Sequence, residues 1–257
     1  MEKFSNIPVL SRKQFLDTLL VLISAELVDS ICGIVDGIVV GRFLGPDAMA
    51  AHGIAVPVFS IMSIFIYLLM AAFQQPCTVC IGRGELKKAN GLYSATMLLS
   101  LALSTVVALI GMLFPHHAAS LLGARGSGPV NVMAADYLRG VFPGTPALIF
   151  FLVLIPVLQI EGKRRLTHIG ALVMGLSDIA FDFLNVKLLH WGMYGIGLST
   201  TLSYLLGLLV LLSYYFDKNR IFHFRLKDIR YRPPAHVSHG ASHRRAHGLR
   251  CPGRRHR

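Results

Sequence analysis

Six stretches of this chain are long and apolar enough to cross a bilayer, and that constrains its fold more than any other feature. A crossing helix needs roughly 20 mostly apolar residues, because the bilayer interior offers no water to an unpaired backbone. The segments are Phe15–Gly41, Gly53–Phe73, Gly91–Phe114, Val141–Ile160, Ile169–His190 and Gly192–Phe216. The second and sixth carry no charge at all. Composition agrees: 54% of the residues are hydrophobic and 15% charged, where soluble domains carry about a quarter charged. A disordered chain, a coiled coil and almost every soluble enzyme class are excluded. The fold class expected is all-α, a polytopic membrane protein with a six-transmembrane-helix bundle.

The chain divides into a polar segment 1–14, the bundle 15–216, a basic loop 217–230 and a tail 231–257. The first apolar run is too long for a signal-peptide core and is expected to remain as a membrane helix. The formal charge of +12 does not point to nucleic acid, because its location is uneven. Residues Tyr231–Arg257 hold seven Arg and five His with no acid; without those Arg, 18 Lys and Arg remain against 13 acids. Such a tail cannot bury a core and is expected to be disordered. It reads as a premature end, or as translation in a shifted frame. His236, His239, His243 and His247 have helical metal-ligand spacing, but the surrounding Gly and Pro make a poor helix. No metal or other cofactor is expected.

Lys and Arg in short loops set orientation. The N-terminal segment has Lys3, Arg12 and Lys13, and later loops on the same side have Arg83, Lys87, Lys88, Lys163, Arg164 and Arg165. Lys218, Arg220, Arg225, Lys227 and Arg230 follow the sixth span. The alternate loops offer only Arg42, Arg125 and Arg139. Both termini are therefore expected in the cytoplasm, in a multi-pass protein of the plasma or inner membrane. The pair Cys77 and Cys80 has the spacing of a redox or zinc half-site, but it ends an apolar helix with no second pair, so both read as small hydrophobes. Gly123–Gly128 is a Gly-rich external connection without the lysine of a phosphate loop. His116 and His117 fall in an external loop.

Carboxylates inside the spans carry the functional signal, since an ionisable group in a membrane is expensive unless it meets a cavity or a partner. Span one has Glu26, Asp29 and Asp36; with Gly33 they fall within an arc of about 80° on a helix. Span five has Asp178, Asp182 and Asn185 at i, i+4 and i+7. Both spans run in the same direction. Counting about 1.5 Å per residue puts Asp36 roughly 8 Å and Asp182 roughly 12 Å from the outer boundary, with Asp178 a turn deeper. The three can meet. Such a cluster can exchange a proton near neutral pH or be neutralised by Na⁺. The competing reading is that the acids pair with Lys187, Arg42 or backbone and only hold helices together.

The residues resemble those of the multidrug and toxic compound extrusion (MATE) transporters. Val35-Asp36 through Gly41-Arg-Phe-Leu-Gly45-Pro-Asp-Ala-Met-Ala50-Ala51 is similar to that family's first-helix signature. Gln74 through Gly82-Arg-Gly84-Glu85 and Gln159-Ile-Glu161-Gly162 resemble the ends of its second and fourth helices. Asp178-Ile-Ala-Phe-Asp182 and Trp191-Gly-Met-Tyr-Gly195-Ile-Gly197-Leu-Ser-Thr resemble its fifth helix and the start of its sixth. The resemblance covers about residues 10–220. It implies one lobe of a twelve-helix, two-lobe transporter, with Asp36, Asp178 and Asp182 as the H⁺ or Na⁺ site. Asn185, Asp29 and Glu26 are supporting candidates. Asp178 stands where many members have Asn.

The function expected is that of a secondary active antiporter exporting organic, often cationic, compounds in exchange for H⁺ or Na⁺, and not an enzyme. The partners expected are the lipid bilayer and small organic cations. A second lobe would come from a homodimer or from a missing C-terminal half. The alternatives are a membrane fragment or interaction subunit that does not transport, and a lipid-linked sugar flippase of the same superfamily.

Overall fold

Proline and glycine punctuate the apolar sequence into helices. The structure, a computed structural model, describes residues 23, 27–28, 30–123, 128–216 and 220–224. The first helix, α1, is described over residues 30–39 and widens into a π-helical turn at Val40–Leu44. Then follow α2 (Pro46–Gly82), α3 (Leu86–Leu113), α4 (Pro115–Leu121), α5 (Pro129–Val141), α6 (Thr145–Ile160), α7 (Arg164–Leu184) and α8 (Gly192–Leu212). Helices α2, α4 and α5 open on proline, whose missing N–H costs nothing in a first turn. A 3₁₀ turn, Phe142–Gly144, joins α5 to α6 so closely that Pro129–Ile160 acts as one crossing unit. Five units are long and apolar enough to cross a membrane among the described residues. They correspond to spans two to six. The start of span one, Glu26, Asp29, most of the Gly-rich connection, most of the 217–230 loop and the whole tail lie outside the described residues.

The boundaries differ instructively from those expected. Helix α2 has 37 residues where the hydropathy reading gave Gly53–Phe73, and α5 occupies Pro129–Val141, a segment read as a connection. A hydropathy window finds only the length a bilayer demands, while hydrogen-bonded helix continues on either side of it until a breaker such as Gly45 or Gly84 ends it. His116 and His117 lie in the short helix α4 rather than in an irregular loop.

Two turns at one end of the bundle share a design. At the end of α2, Glu85 donates its N–H to the Cys80 carbonyl and Gly84 to that of Ile81; after α6, Lys163 donates to Leu158 and Gly162 to Gln159. Gly84 and Gly162 adopt φ of +74° and +76°. These crossed bonds close a helix through a left-handed residue that only glycine adopts cheaply. They account for the Gly84-Glu85 and Glu161-Gly162 pairs in physical terms. This end, which carries Arg83, Lys87, Lys163 and Arg164, is called the basic end below.

Large apolar residues of α2 and α3, among them Ile64, Leu68, Leu109 and Leu113, remain exposed, as expected of a lipid-facing surface. Inside, helix approach depends on small residues. A Cβ on Gly197 would lie 2.2 Å from the Tyr137 carbonyl oxygen. Thr201 donates to the Gly140 carbonyl at 2.7 Å across the same seam. The core has two parts. Toward the basic end it is aromatic, built on Phe73, Tyr93, Phe151, Tyr214 and Phe222. Toward the opposite end it is finer-grained, with Ala48, Ala51, Ala134, Ala135, Tyr137 and Ile196. Cys77 and Cys80 are buried thiols of the aromatic part, as small hydrophobes should be.

Candidate functional site

A cavity of about 460 Å³ opens between α1, α2, α5, α6, α7 and α8. Aromatic and aliphatic side chains make most of its wall, including Phe59, Met62, Tyr67, Phe151 and Tyr204. Two carboxylates enter it, Asp36 from α1 and Asp178 from α7, together with His52, Tyr137 and Thr200. Lys and Arg are absent from its lining among the described residues.

The three acids expected to meet do meet. Asp36 is half-buried, while Asp178 and Asp182 are 5% and 1% exposed. The Asp182 carboxyl lies behind the cavity wall beside Asp178, Asp36 and Ser199. Both of its oxygens are buried, and neither makes a well-formed hydrogen bond among the described residues. Asp178 accepts a hydrogen bond from the Ser203 hydroxyl at 3.0 Å. Lys187, a proposed counter-charge, instead holds its Nζ 6.0 Å from the centre of the Phe183 ring.

Asn185 has a different setting. Its amide nitrogen donates to the Gly192 carbonyl at 3.0 Å, and its Oδ1 accepts the Trp191 N–H at 3.1 Å. It stitches the end of α7 to the start of α8. Gly195 leaves room for it, since a Cβ there would lie 1.9 Å from Oδ1.

Tyr137 also lines this cavity, and no sequence signal marked it. It is 3% exposed, lies beside the Thr200 hydroxyl and stands within electrostatic range of Asp36, Asp178 and Asp182. The His52 ring meets it edge-on, with centroids 5.3 Å apart. Thr200 and Ser199 lie in the segment that resembles a family motif, so a signal for them existed. His52 and Tyr137 lie just before spans two and four, outside their apolar runs.

Both acid-bearing helices lose regular geometry close to these residues. The π-helical turn Val40–Leu44 begins four residues after Asp36, and Asn185–Leu189 begins three residues after Asp182. Such turns concentrate at functional sites, because an inserted residue frees backbone groups and weakens the helix locally. Chemically, the site offers anionic oxygen to a small cation or proton, beside an apolar chamber suited to an organic ion.

The sequence pattern of the MatE family matches residues 22–184. Among curated relatives, the multidrug export protein MepA of Staphylococcus haemolyticus (strain JCSC1435) is 27% identical over 202 residues, covering 79% of this chain and 44% of the relative. MepA of Staphylococcus aureus (strain bovine RF122 / ET3-1) is 22% identical over 201 residues, 78% of this chain and 44% of the relative. The chain thus spans less than half the length of these relatives. Of solved structures, the outward-facing conformation of a multidrug resistance MATE family transporter of the MOP superfamily superposes with a TM-score of 0.73 at 21% identity, over 83% of this chain and 47% of that one. The inward-facing conformation of such a transporter gives 0.71 at 21% identity, over 79% and 46%.

Proposed function

The chain belongs to the MatE family of membrane transporters, and on that premise we propose that it forms the N-terminal lobe of a cation-coupled exporter of organic cations. The observation that carries this reading is the convergence of Asp36, Asp178 and Asp182 beside one cavity. Acids in a cavity that few donors neutralise hold negative potential, and a proton or Na⁺ relieves it. An organic cation in the adjoining chamber competes for the same potential. Exchange follows: the inorganic cation enters the cluster, and the organic cation leaves. The π-helical turns near Asp36 and Asp182 are where α1 and α7 give way as the cluster changes charge.

Among the described residues the chamber wall holds carboxylates and no Lys or Arg, which favours organic cations over the anionic head of a lipid-linked sugar, so the flippase alternative is not favoured. Alternating access needs two lobes moving about a shared site. The second lobe comes from another copy of this chain or from a separate C-terminal half. Both chain termini lie on the cytoplasmic side of the cell membrane in this reading, with the basic end of the bundle inward.

The test is efflux of a fluorescent organic cation from everted vesicles, with proton and sodium gradients imposed separately. Transport driven by one gradient and lost in Asp36→Asn and Asp182→Asn supports the reading and identifies the ion. Transport that survives both substitutions overturns it. A chain that inserts but does not transport, and becomes active beside a C-terminal half, is a lobe that works only when completed.

A further inference from the structure

His52 takes no part in the proposed exchange, yet it sits in the wall of the same chamber. It lies in the second turn of α2, on a helix with few other polar residues near that end. Its half-buried ring lines the cavity, and its Nδ1 is buried with no hydrogen-bond partner among the described residues. The imidazole packs edge-on against Tyr137, which stands within electrostatic range of Asp36, Asp178 and Asp182. Of the titratable groups that share its cavity, Tyr137 from α5 is in ring contact with it, while Cys32 and Asp36 from α1, Asp178 from α7, Tyr67 from α2 and Tyr204 from α8 line the same wall. The chamber wall therefore carries carboxylates and an imidazole together.

We infer that His52 is a specificity-determining residue: it selects, among organic cations, those carrying an N–H group that can bond to its imidazole. The carboxylates draw positive charge without regard to its chemical form. A cation with a delocalised charge under an apolar surface satisfies them as well as an amine does. The imidazole adds a second, directional requirement. A half-turn of the ring about Cβ–Cγ exchanges its nitrogens with carbons while keeping the ring in its plane against Tyr137, and in its neutral form one nitrogen accepts. A ligand that fills the chamber without bonding to His52 leaves a buried polar atom unsatisfied, and sites of that kind discriminate against such ligands. The substrate class is narrowed from organic cations in general to amine- and amidine-bearing ones. This rests on the reading of the cavity as a cation chamber.

The experiment compares two probes bound to the purified full chain in nanodiscs. Ethidium is an aromatic cation with two primary amines; tetraphenylphosphonium is a cation of comparable bulk with no N–H group. Affinities are measured for wild type, His52→Phe, His52→Gln and Asp36→Asn. His52→Phe should weaken ethidium about five- to tenfold, the value of one neutral hydrogen bond, and change tetraphenylphosphonium less than about twofold. His52→Gln, which keeps a hydrogen-bonding group, should restore ethidium to within about threefold of wild type. Equal losses for both probes, no loss for either, or failure of His52→Gln to restore ethidium would overturn the inference. So would a wild-type chain that binds neither probe. Asp36→Asn reports separately: if it leaves both affinities intact, the carboxylate reading fails, while the His52 comparison still stands or falls on its own arms.

Discussion

Two buried carboxylates at opposite ends of this bundle are held in contrary ways. Glu161, in the turn between α6 and α7, is surrounded by donors. The Tyr214 hydroxyl donates to its Oε1, and the backbone N–H groups of Ile221 and Phe222 reach the same oxygen at 2.8 and 3.0 Å. Its other oxygen lies 4.0 Å from Lys163 Nζ. Asp182, equally deep, lies beside two further acids, and neither of its oxygens makes a well-formed hydrogen bond among the described residues. A buried charge that receives donors fastens the fold. One placed among like charges opposes it. The first is an anchor, clamping residues 220–224 across the basic end, with Phe222 fully buried against Phe73 and Tyr93. The second is a cost that the packing around it sustains.

The largest effect should come from removing the charge at Asp182. In membranes where the chain, alone or completed by a C-terminal half, exports an organic cation, Asp182→Asn should reduce gradient-driven efflux at least about tenfold, the scale of losing one charged interaction. Its stability should stay equal or rise, because an amide keeps the shape without the charge. Thermal unfolding in detergent, followed by fluorescence, checks this alongside transport. A variant that both unfolds early and fails to transport would break the comparison, by making Asp182 an anchor like Glu161.

Glu161 should show the reverse. Glu161→Ala orphans the Tyr214 hydroxyl and two backbone donors and should cost about 2–4 kcal/mol. Glu161→Gln keeps an acceptor and should lose less than half as much. Titration with SDS in mixed micelles measures both. Equal losses for Ala and Gln would mean that charge, rather than the three donated bonds, sets the value of Glu161.

Asn185 lies between the two categories and sharpens them. It neighbours the acids in sequence, which is why it counted as a supporting site residue, yet both ends of its amide bond to the turn between α7 and α8. Asn185→Ala should destabilise by about 1–2 kcal/mol. In a chain that still transports, it should leave the preference between proton and sodium gradients unchanged. A changed ion preference would return it to the cluster.

How these residues could be read in the sequence depended on what each must do. Spans two to six were legible because twenty apolar residues in a row have one economical use. Asp36, Asp178 and Asp182 were legible because an acid in such a run demands a reason, and helical spacing gave the meeting point. His52 and Tyr137 were not, because each sits in helix beyond the apolar window. There Asp136, Arg139 and the small residues around His52 look like a connection. What marks them is which side of α2 and α5 faces the cavity, a tertiary fact. Glu161 was visible only as part of a resemblance. Its role depends on residues 221 and 222, some 60 positions later in the chain.

The smallest effect tests whether the clamp at the basic end is one unit. The Asn90 side chain on α3 accepts the His223 N–H at 2.9 Å, a second hold on the segment that Glu161 grips. Asn90 is only half-buried, so water replaces part of what Asn90→Ala removes, and the loss should be about 0.5–1 kcal/mol. Combined with Glu161→Ala, it should cost less than the sum of the two. Once Glu161 no longer holds residues 221 and 222, the bond at residue 223 fixes a segment already released. Neighbours that share one ordered element depart from additivity by about 0.5 kcal/mol or more. Strict additivity in the double variant would mean that Glu161 and Asn90 hold the segment independently. The basic end would then owe its order to Phe222 in its aromatic socket rather than to the carboxylate, and the contrast with Asp182 would narrow to one of burial alone.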